Sequence, residues 1–386
     1  MNTTHTIEER KTEKLDANTI KITQIEIFKL IVPLKKPFVI SLGTITNAEN
    51  IVVKIHTNQG IVGTGEGCPF VFIVGETQAT DFEMAQVFAK NFKGKNPLEI
   101  QERIADMDRI TTFNSTVKSA FEVALQDIAG KFANLPLYAL WGGKKDKELY
   151  TDMTVGISTP EDMAKCAKEF VDQGYPVIKV KLGTTKKEDV ARIKAIREAI
   201  GMEIPLCIDA NQGWDTVTAI STLKMLEQYQ ITHCEEPVPH WNNLALKKVT
   251  EHSPIPIMAD ESLFDHRDAF KLATLQACDY FNIKLSKAGG CANALKIADI
   301  AEVAGIQCQV GGMSETRFGV TILAHLSLAR KSIVHHDMDT ALLLAEDPVI
   351  GGITYAENGR VIVPDGPGVG ADFDPEYLNK MEKIVI

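Results

Sequence analysis

Hydrophobic and polar positions fall into successive patterns along the chain. From residue 21, two β-branched runs, the turn signal Asn58-Gln59-Gly60 and a third short run predict an antiparallel meander. From Thr77 the apolar positions take a helical period, up to about Trp141-Gly142-Gly143. Strands followed by helices are typical of an α+β domain, which we place at residues 21–145.

From Tyr150 the pattern changes to short apolar runs that alternate with amphipathic segments. Roughly eight such runs recur at 24 to 28 residue intervals, about the length of one strand–helix unit in a parallel βα barrel. We therefore expect an α/β fold with a barrel over residues 146–350. The tail, residues 351–386, returns to β-like pieces and should pack on the first domain and complete it. Residues 1–20 are polar and of mixed charge, which predicts a flexible N-terminal extension.

Composition and charge exclude several classes of protein. The chain has 386 residues, a net charge of −10 and a pI near 5.5, which argues against nucleic acid as a partner because phosphate backbones bind clustered Lys and Arg. It has no apolar run of about 18 residues, the length that predicts a membrane span. The N-terminal segment also lacks the apolar core of a signal peptide. We expect a cytoplasmic protein that forms a homo-oligomer.

The seven cysteines are odd in number and include no CxxC pair. Several lie within apolar runs, where cysteine acts as a small hydrophobic residue. This usage indicates free structural thiols in a reducing compartment and gives no support to a zinc or disulfide framework.

Polar side chains stand at the ends of successive predicted strands. Asp209, Glu235, Asp260 and Lys284 follow one another at intervals of 26, 25 and 24 residues. Lys181 precedes Asp209 by 28 residues, and Asp337 follows Lys284 by 53, about two units. Because the C-terminal ends of parallel barrel strands meet at one mouth, these side chains should converge there.

Three of these residues, Asp209, Glu235 and Asp260, are carboxylates on neighbouring strand ends. An isolated aspartate in such a place is more often a helix N-cap. Three in register would repel one another in a partly dry cavity unless a cation bound them. All-oxygen donors suit a hard divalent ion, and we therefore expect Mg²⁺ in preference to zinc.

Lys179 and Lys181 share one face of the predicted strand Val177–Leu182. An isolated pair of this kind favours a solvent-facing edge. In register with the carboxylates, Lys181 and Lys284 instead flank the metal. We expect neighbouring cations and partial desolvation to lower a lysine pKa enough for it to act as a base. Metal plus lysine base indicates abstraction of a proton next to a carboxylate.

Five motifs, KVK (179–181), DANQGW (209–214), EEP (235–237), ADES (259–262) and NIKLSKAGG (282–290), closely resemble the muconate-lactonizing subgroup of the enolase superfamily. The resemblance implies a modified TIM barrel, (β/α)₇β, with an α+β capping domain. It also implies one Mg²⁺ per subunit on the three carboxylates, with Lys181 and Lys284 as acid and base on opposite faces of the substrate. Asn211, Glu236 and Glu261 would surround the metal ligands, and Lys179 would be an electrostatic partner.

Asp337-Met338-Asp339 ends the eighth predicted run, where strand alternation would point both aspartates to one side as acceptors for a substrate cation. The alternative is a loop with N-caps. The pair resembles that of the dipeptide epimerases, where it binds the α-ammonium group. This implies an isomerase that inverts the α-carbon of the C-terminal residue of an L-Ala-L-Xaa dipeptide by a two-base, 1,1-proton transfer.

Other functions remain open at this point. A cycloisomerase or syn-dehydratase of the same subgroup, such as muconate cycloisomerase or o-succinylbenzoate synthase, would act on substrates without an ammonium group. A Schiff-base aldolase would leave the three carboxylates without a role. A Mg²⁺ or peptide binding protein would leave the two separated lysines unexplained.

Two predicted capping loops bear on which dipeptide is used. Epimerases that accept L-Ala-L-Glu carry an arginine in the first of them. Here the matching stretch, Pro37–Thr46, has no Arg or Lys, and Gly43 lies about where that arginine would be. The second loop, Cys68–Val74, is also apolar. Unless their aromatic residues only pack on the barrel rim, these loops predict a preference for apolar or aromatic second residues.

Overall fold

A computed structural model describes residues 15–386, so most of the predicted N-terminal extension, residues 1–14, lies outside the described part of the chain. The predicted meander is confirmed as the strands Ile22–Ile40, Gly43–Thr57 and Val62–Gly67. The C-terminal strand Lys383–Val385 adds to its first edge, antiparallel to Ile22–Ile40.

Helices cover one face of this sheet. The longer ones are Gln78–Phe92, Ile100–Ile110 and Ser115–Ala133, and the short ones are Val71–Val74 and Leu137–Leu140. Phe88 and Phe92 meet Phe121 edge to face, with ring centroids 5.6 and 5.4 Å apart. Together with the buried isoleucines of the first strand, these rings form the core of the capping domain.

Eight parallel strands follow in chain order, each hydrogen-bonded to the next, which confirms the α/β barrel. They are Met153–Val155, Ile178–Lys181, Leu206–Asp209, Ile231–Glu235, Ile257–Ala259, Tyr280–Ile283, Gln307–Gly311 and Ile333–Asp337. Each predicted polar residue lies at the C-terminal end of its strand or directly after it.

Each of the first seven barrel strands leads into an outer helix, whereas the eighth leads only into the turn Thr340–Leu343, as (β/α)₇β requires. The outer helices are Pro160–Asp172, Lys186–Ile200, Thr216–Leu226, Asn243–His252, His266–Leu275, Cys291–Ala304 and Arg317–Ala329, with the short helix Leu285–Ala288 before the sixth. The first of these helices begins with a side-chain cap: Thr159 accepts a hydrogen bond from the Asp162 N–H, and Pro160 is the first helical residue.

Strand ladders do not run between the eighth barrel strand and the first. Instead, Asp152 N donates to His336 O (3.2 Å) and Met338 N donates to the Thr151 hydroxyl (3.0 Å). These bonds join the two strand ends across a seam, and the residues on both sides of it become close neighbours.

Two buried glutamates of the capping domain hold it against the barrel by hydrogen bonds to the starts of two barrel helices. Glu66 accepts hydrogen bonds from Thr316 N (3.0 Å) and Gly319 N (2.9 Å) at the start of the seventh helix. Glu122 accepts from Cys291 N (2.6 Å) and Ala292 N (3.2 Å) at the start of the sixth. Each capping-domain carboxylate thus accepts hydrogen bonds from N–H groups in the first turn of a barrel helix, which have no partner within that helix.

The tail contacts both parts of the molecule. Asp372 binds Lys54 of the capping sheet, with oxygen and nitrogen 2.9 Å apart, and the strand Ala371–Phe373 pairs with Val349–Gly351. The hairpin of Thr354–Tyr355 and Arg360–Ile362 instead pairs with Leu149–Tyr150 beside the barrel. The tail therefore contacts the barrel as well as the capping domain.

All seven cysteines are free thiols, and six of them are buried. Among residues 15–386, no helix combines the length and the apolar composition needed to cross a lipid bilayer.

Candidate active site

Asp209, Glu235 and Asp260 lie together at the barrel mouth. The first two end the third and fourth strands, and Asp260 directly follows the fifth. All three are fully buried, and one carboxylate oxygen from each lies within 4.8 Å of the others. The structure thus brings the three predicted ligands into one cluster.

The donors of this cluster suit a hard divalent cation. Asn282 Nδ2 donates to Glu235 Oε1 (2.6 Å) and Asn211 N donates to Asp209 Oδ1 (2.8 Å), so both carboxylates are held in place. Asp260 Oδ2 accepts no hydrogen bond, although Lys284 Nζ lies 2.8 Å away. A buried carboxylate oxygen with unused acceptor capacity, facing two others, is the arrangement that Mg²⁺ binds.

Asn211 and Glu236 hydrogen-bond the predicted ligands, and Glu261 hydrogen-bonds Asn211. Asn211 Nδ2 donates to Glu261 Oε1 (3.1 Å), and Glu236 Oε2 accepts from Asp260 N (2.8 Å). Burial raises the pKa of Glu236 to about 7. Asn211 and Glu236 have φ values of 38° and 32°, a strained conformation for residues with a Cβ, of the kind found at functional sites.

The two predicted acid/base lysines stand on opposite sides of the cluster. Lys181 Nζ lies 2.5 Å from Asp209 Oδ2 and Lys284 Nζ lies 2.8 Å from Asp260 Oδ2. Lys181 ends the second strand and Lys284 follows the sixth, so they are half a turn of the eight-stranded barrel apart. A planar group bound between them would present one face to each.

The carboxylates at the mouth oppose the expected lowering of a lysine pKa. Burial lowers the pKa of Lys284, but the carboxylates of Asp260 and Glu235 outweigh it and hold the pKa above its usual value. Lys179 behaves in the same way, because Asp337 and Glu235 raise its pKa more than burial lowers it. Sequence reasoning counted neighbouring cations, whereas the mouth holds more carboxylates than ammonium groups.

Lys179 links this carboxylate cluster to Asp337. Its Nζ lies 2.6 Å from Glu235 Oε2 and 2.8 Å from Asp337 Oδ2, and the side chain is almost fully buried. Sequence reasoning missed Lys287, whose Nζ hydrogen-bonds both Asp260 O and Asp260 Oδ1. The NIKLSKAGG motif contains both lysines, and only the strand register singled out Lys284.

Asp337 and Asp339 come together, although not by strand alternation. The eighth strand ends at Asp337, and Asp339 occupies the N-cap position of the turn Thr340–Leu343 without a side-chain capping hydrogen bond. Its Oδ2 accepts from Thr154 N (2.7 Å). One oxygen each of Asp337, Asp339 and a third residue, Asp152, lie within 4.8 Å of one another. Sequence reasoning missed Asp152 because it stands just before the first, very short barrel strand.

The first predicted capping loop is the tip of a β-hairpin, and the second contains the helical turn Val71–Val74. The tip lies on the barrel: Ser41 Oγ donates to Ala210 O (3.1 Å) and Asn211 O (2.8 Å). A Cβ at Gly43 would lie 2.8 Å from the Phe72 ring. The two segments therefore touch over the mouth, and the Phe72 ring covers the position predicted for an arginine.

A pocket lies between the hairpin and the barrel mouth. The hairpin contributes the apolar side chains of Phe38 and Ile45 to its lining. The barrel contributes Thr154 and the charged side chains of Lys181, Asp337 and Asp339. A ligand in it would meet one acid/base lysine, the acidic pair and an apolar wall.

Known proteins match this architecture along most of the chain. Residues 22–142 match the family model "Mandelate racemase / muconate lactonizing enzyme, N-terminal domain", and residues 162–377 match "Enolase C-terminal domain-like". The D-Ala-D/L-Ala epimerase of Cytophaga hutchinsonii is 49% identical, over 95% of this chain and 99% of its own. The hydrophobic dipeptide epimerase of Enterococcus faecalis is 42% identical, over 91% and 99%.

Among solved structures, the dipeptide epimerase of Cytophaga hutchinsonii complexed with Mg and the dipeptide D-Ala-L-Val superimposes with a TM-score of 0.94 at 49% identity. The superposition covers 95% of this chain and 100% of that chain. The similarity thus extends over both the capping domain and the barrel.

Proposed function

The chain belongs to the mandelate racemase / muconate lactonizing enzyme family of the enolase superfamily, and on that premise we propose that it is a Mg²⁺-dependent dipeptide epimerase. The observation that carries this function is one barrel mouth with two acidic clusters and a lysine on either side. One cluster suits a divalent cation, and the other suits an ammonium group. A dipeptide carries a carboxylate for the first and an α-ammonium for the second.

In this proposal, Asp337 and Asp339 bind the ammonium group of the substrate. Both line the pocket beside Lys181, and two buried carboxylates hold a cation by charge-assisted hydrogen bonds. They would repel the purely anionic substrates of a cycloisomerase or a syn-dehydratase. This favours an isomerase of dipeptides over a lyase-type enzyme of the same family.

Lys181 and Lys284 move the proton. One takes it from the α-carbon of the second residue, and the other returns a proton to the opposite face, which inverts that centre. When bound to Asp209, Glu235 and Asp260, Mg²⁺ supplies positive charge that neutralises the carboxylates beside the lysines and makes the proton next to the substrate carboxylate more acidic. Lys179 and Lys287 hold the carboxylates in place from below and from the side.

The preferred dipeptides have apolar side chains. Phe38 and Ile45 line the pocket, Phe72 covers Gly43, and residues 37–46 at the hairpin tip include no Arg or Lys to pair with a glutamate side chain. Burying an apolar side chain there contributes about 1.5–3 kcal/mol, whereas an unpaired carboxylate would be desolvated at a cost. The name of the Enterococcus faecalis relative, a hydrophobic dipeptide epimerase, agrees with this preference.

We also propose a cytoplasmic homo-oligomer that does not bind nucleic acid. Free thiols are typical of a reducing compartment, and the net charge of −10 disfavours a phosphate backbone. The side chains of Trp241, Leu244 and Phe270 are 74%, 69% and 67% exposed, and contact between subunits would remove such large apolar surfaces from water. Light scattering of the purified protein measures the oligomeric state directly.

Deuterium incorporation tests the function. Purified protein with Mg²⁺ is incubated in deuterated water with L-Ala-L-Xaa dipeptides, and mass spectrometry follows each one. An epimerase adds one deuterium at the α-carbon without loss of water, and chiral chromatography shows the inverted dipeptide. A chelator serves as the control. Exchange into no dipeptide, together with turnover of a muconate or a hydroxy acid, would refute the proposal in favour of the lyase-type alternative.

A further inference from the structure

A third carboxyl group lies behind the proposed ammonium subsite. Asp152 is 4% exposed, and one of its oxygens lies within 4.8 Å of one oxygen each of Asp337 and Asp339. Asp337 and Asp339 line the pocket, whereas Asp152 is not among its lining residues. Asp152 therefore lies behind the two acceptors, outside the pocket that they line.

The backbone fixes this third carboxyl group in place. Asp152 lies on the seam between the eighth and first strands, where its N–H donates to His336 O (3.2 Å). On either side, the Thr151 hydroxyl accepts from Met338 N (3.0 Å) and Thr154 N donates to Asp339 Oδ2 (2.7 Å). These bonds hold the Asp152 backbone at the seam, next to the strand end that carries Asp337.

Three buried carboxyl groups this close cannot all be charged. Asp337 has the Lys179 ammonium 2.8 Å away, and Asp339 has the Thr154 N–H as a donor. Asp152 Oδ1 is buried without any hydrogen-bond partner, which is costly for a carboxylate. Carrying the shared proton removes that cost and provides a donor for its two neighbours.

The electrostatic surroundings agree with this assignment of the proton. Burial raises the pKa of Asp152 well above its usual range, and the charges of Asp337 and Asp339 raise it further. Burial also raises the pKa of Asp337, but Lys179 more than reverses the effect and leaves it below its usual value. Of these two groups, Asp337 holds the negative charge and Asp152 the proton.

We propose that Asp152 is a positioning residue of the ammonium subsite, a neutral carboxylic acid that donates a hydrogen bond to the Asp337–Asp339 pair and keeps both carboxylates directed at the pocket. This role rests on the proposed function, because it requires that the pair bind the substrate ammonium. The opposing reading is that Asp152 attracts the substrate through its own negative charge. The two readings differ in what a neutral amide at this position does.

The experiment compares two variants. Asp152→Asn is neutral, nearly isosteric and able to donate a hydrogen bond, whereas Asp152→Ala is neutral but smaller and has no side-chain donor. The surface variant Asp146→Ala removes an exposed acid nearby and serves as the control. For each protein, KM and kcat are measured with the best dipeptide, and Ki is measured for that dipeptide with its amino group acetylated. A seam that merely loosens would weaken both ligands, whereas a subsite effect acts only on the free ammonium.

We expect Asp152→Asn to keep KM within about three-fold of the wild type, and Asp152→Ala to raise KM on the order of ten-fold or more, the effect of losing a hydrogen bond to a charged group. The value of kcat and the Ki of the acetylated dipeptide should change little. If the Ala variant does not fold, Asp152→Leu, similar in volume but without a donor, takes its place. An equal rise in KM for the Asn and Ala variants, an unchanged KM in both, or a parallel loss of both ligands would overturn the proposal.

Asp339→Asn separates this inference from the proposed function. If it leaves the KM of the free dipeptide unchanged, the acidic pair does not bind the ammonium and the proposed function fails, whatever Asp152 does. If it raises KM while the Asp152 variants behave like the wild type, only the role of Asp152 fails.

Discussion

Replacing Glu122 by alanine should loosen the capping domain and disturb the segment that carries Lys284. Glu122 lies in the capping helix Ser115–Ala133 and accepts from Cys291 N and Ala292 N, while Gln126 Nε2 also donates to it at 2.7 Å. The helix that begins at Cys291 has Gly290 at its N-cap position and therefore no side-chain cap of its own. Lys284 lies only seven residues before that helix.

The structure sets the size of the effect. The Ala variant leaves three buried donors without an acceptor, at about 1–3 kcal/mol each, and relieves the desolvation of one carboxylate, so we expect a net loss of about 2–4 kcal/mol in the free energy of unfolding. Burial raises the pKa of Glu122 above 4.5. The stability that Glu122 contributes relative to glutamine is therefore fully present at pH values below the pKa of Glu122 in the unfolded chain. It declines as pH rises through the higher pKa of Glu122 in the folded protein. Glu122→Gln should accordingly destabilise more at pH 5 than at pH 8.

Urea unfolding followed by tryptophan fluorescence measures this change, because Trp141 Nε1 donates to Gln126 Oε1 (3.1 Å), next to Glu122. Glu83→Ala removes a solvent-exposed acid of the same domain and should change stability by less than about 0.5 kcal/mol. The kcat of Glu122→Ala should fall as Lys284 loses its support. A variant with unchanged stability and kcat would refute the docking role of Glu122.

Further predictions concern the site itself. Asp209→Asn, Glu235→Gln and Asp260→Asn should each remove most Mg²⁺ affinity, measured by titration calorimetry, with little effect on folding; wild-type activity at limiting Mg²⁺ in any of them would contradict the ligand assignment. Lys181→Ala and Lys284→Ala should both abolish epimerisation, and each should exchange the α-proton with deuterated water from one stereoisomer only; equal exchange from both isomers would exclude two bases. Ser41→Ala, which frees the hairpin tip from Ala210 O and Asn211 O, should raise KM about five-fold, against no change in Ser158→Ala. In a competition of L-Ala-L-Glu, L-Ala-L-Lys, L-Ala-L-Val and L-Ala-L-Phe, the apolar dipeptides should have the highest kcat/KM, and a preference for L-Ala-L-Glu would contradict the apolar wall.

The barrel and its mouth were predictable because covalent spacing carries the information. One strand–helix unit has a nearly constant length, so residues such as Asp209 and Glu235, 26 apart in sequence, must end neighbouring parallel strands. The same register placed Lys181 and Lys284 across the barrel from each other. Asp152 escaped because it precedes the three-residue strand Met153–Val155, which is too short to show a pattern.

Charge balance and local geometry were less accessible from the sequence. The raised pKa of Lys284 depends on which carboxylates fold around it. Asp339 reaches the pocket from a turn, because the strand ends two residues earlier. The family resemblance predicts a capping loop at Pro37–Thr46, whereas Phe38 and Ile45 pair across the tip of a hairpin.

The docking of barrel helices by Glu66 and Glu122 links the order of synthesis to the order of folding. Both glutamates lie in the first third of the chain. Glu66 caps the helix that begins at Arg317, and Glu122 caps the helix that begins at Cys291. During translation the first three capping strands and the capping helices therefore leave the ribosome before the last barrel units, whereas the strand Lys383–Val385 joins their sheet after them. A circular permutant that begins at the barrel would reverse this order, and its sixth helix would emerge with no acceptor for the N–H groups of Cys291 and Ala292.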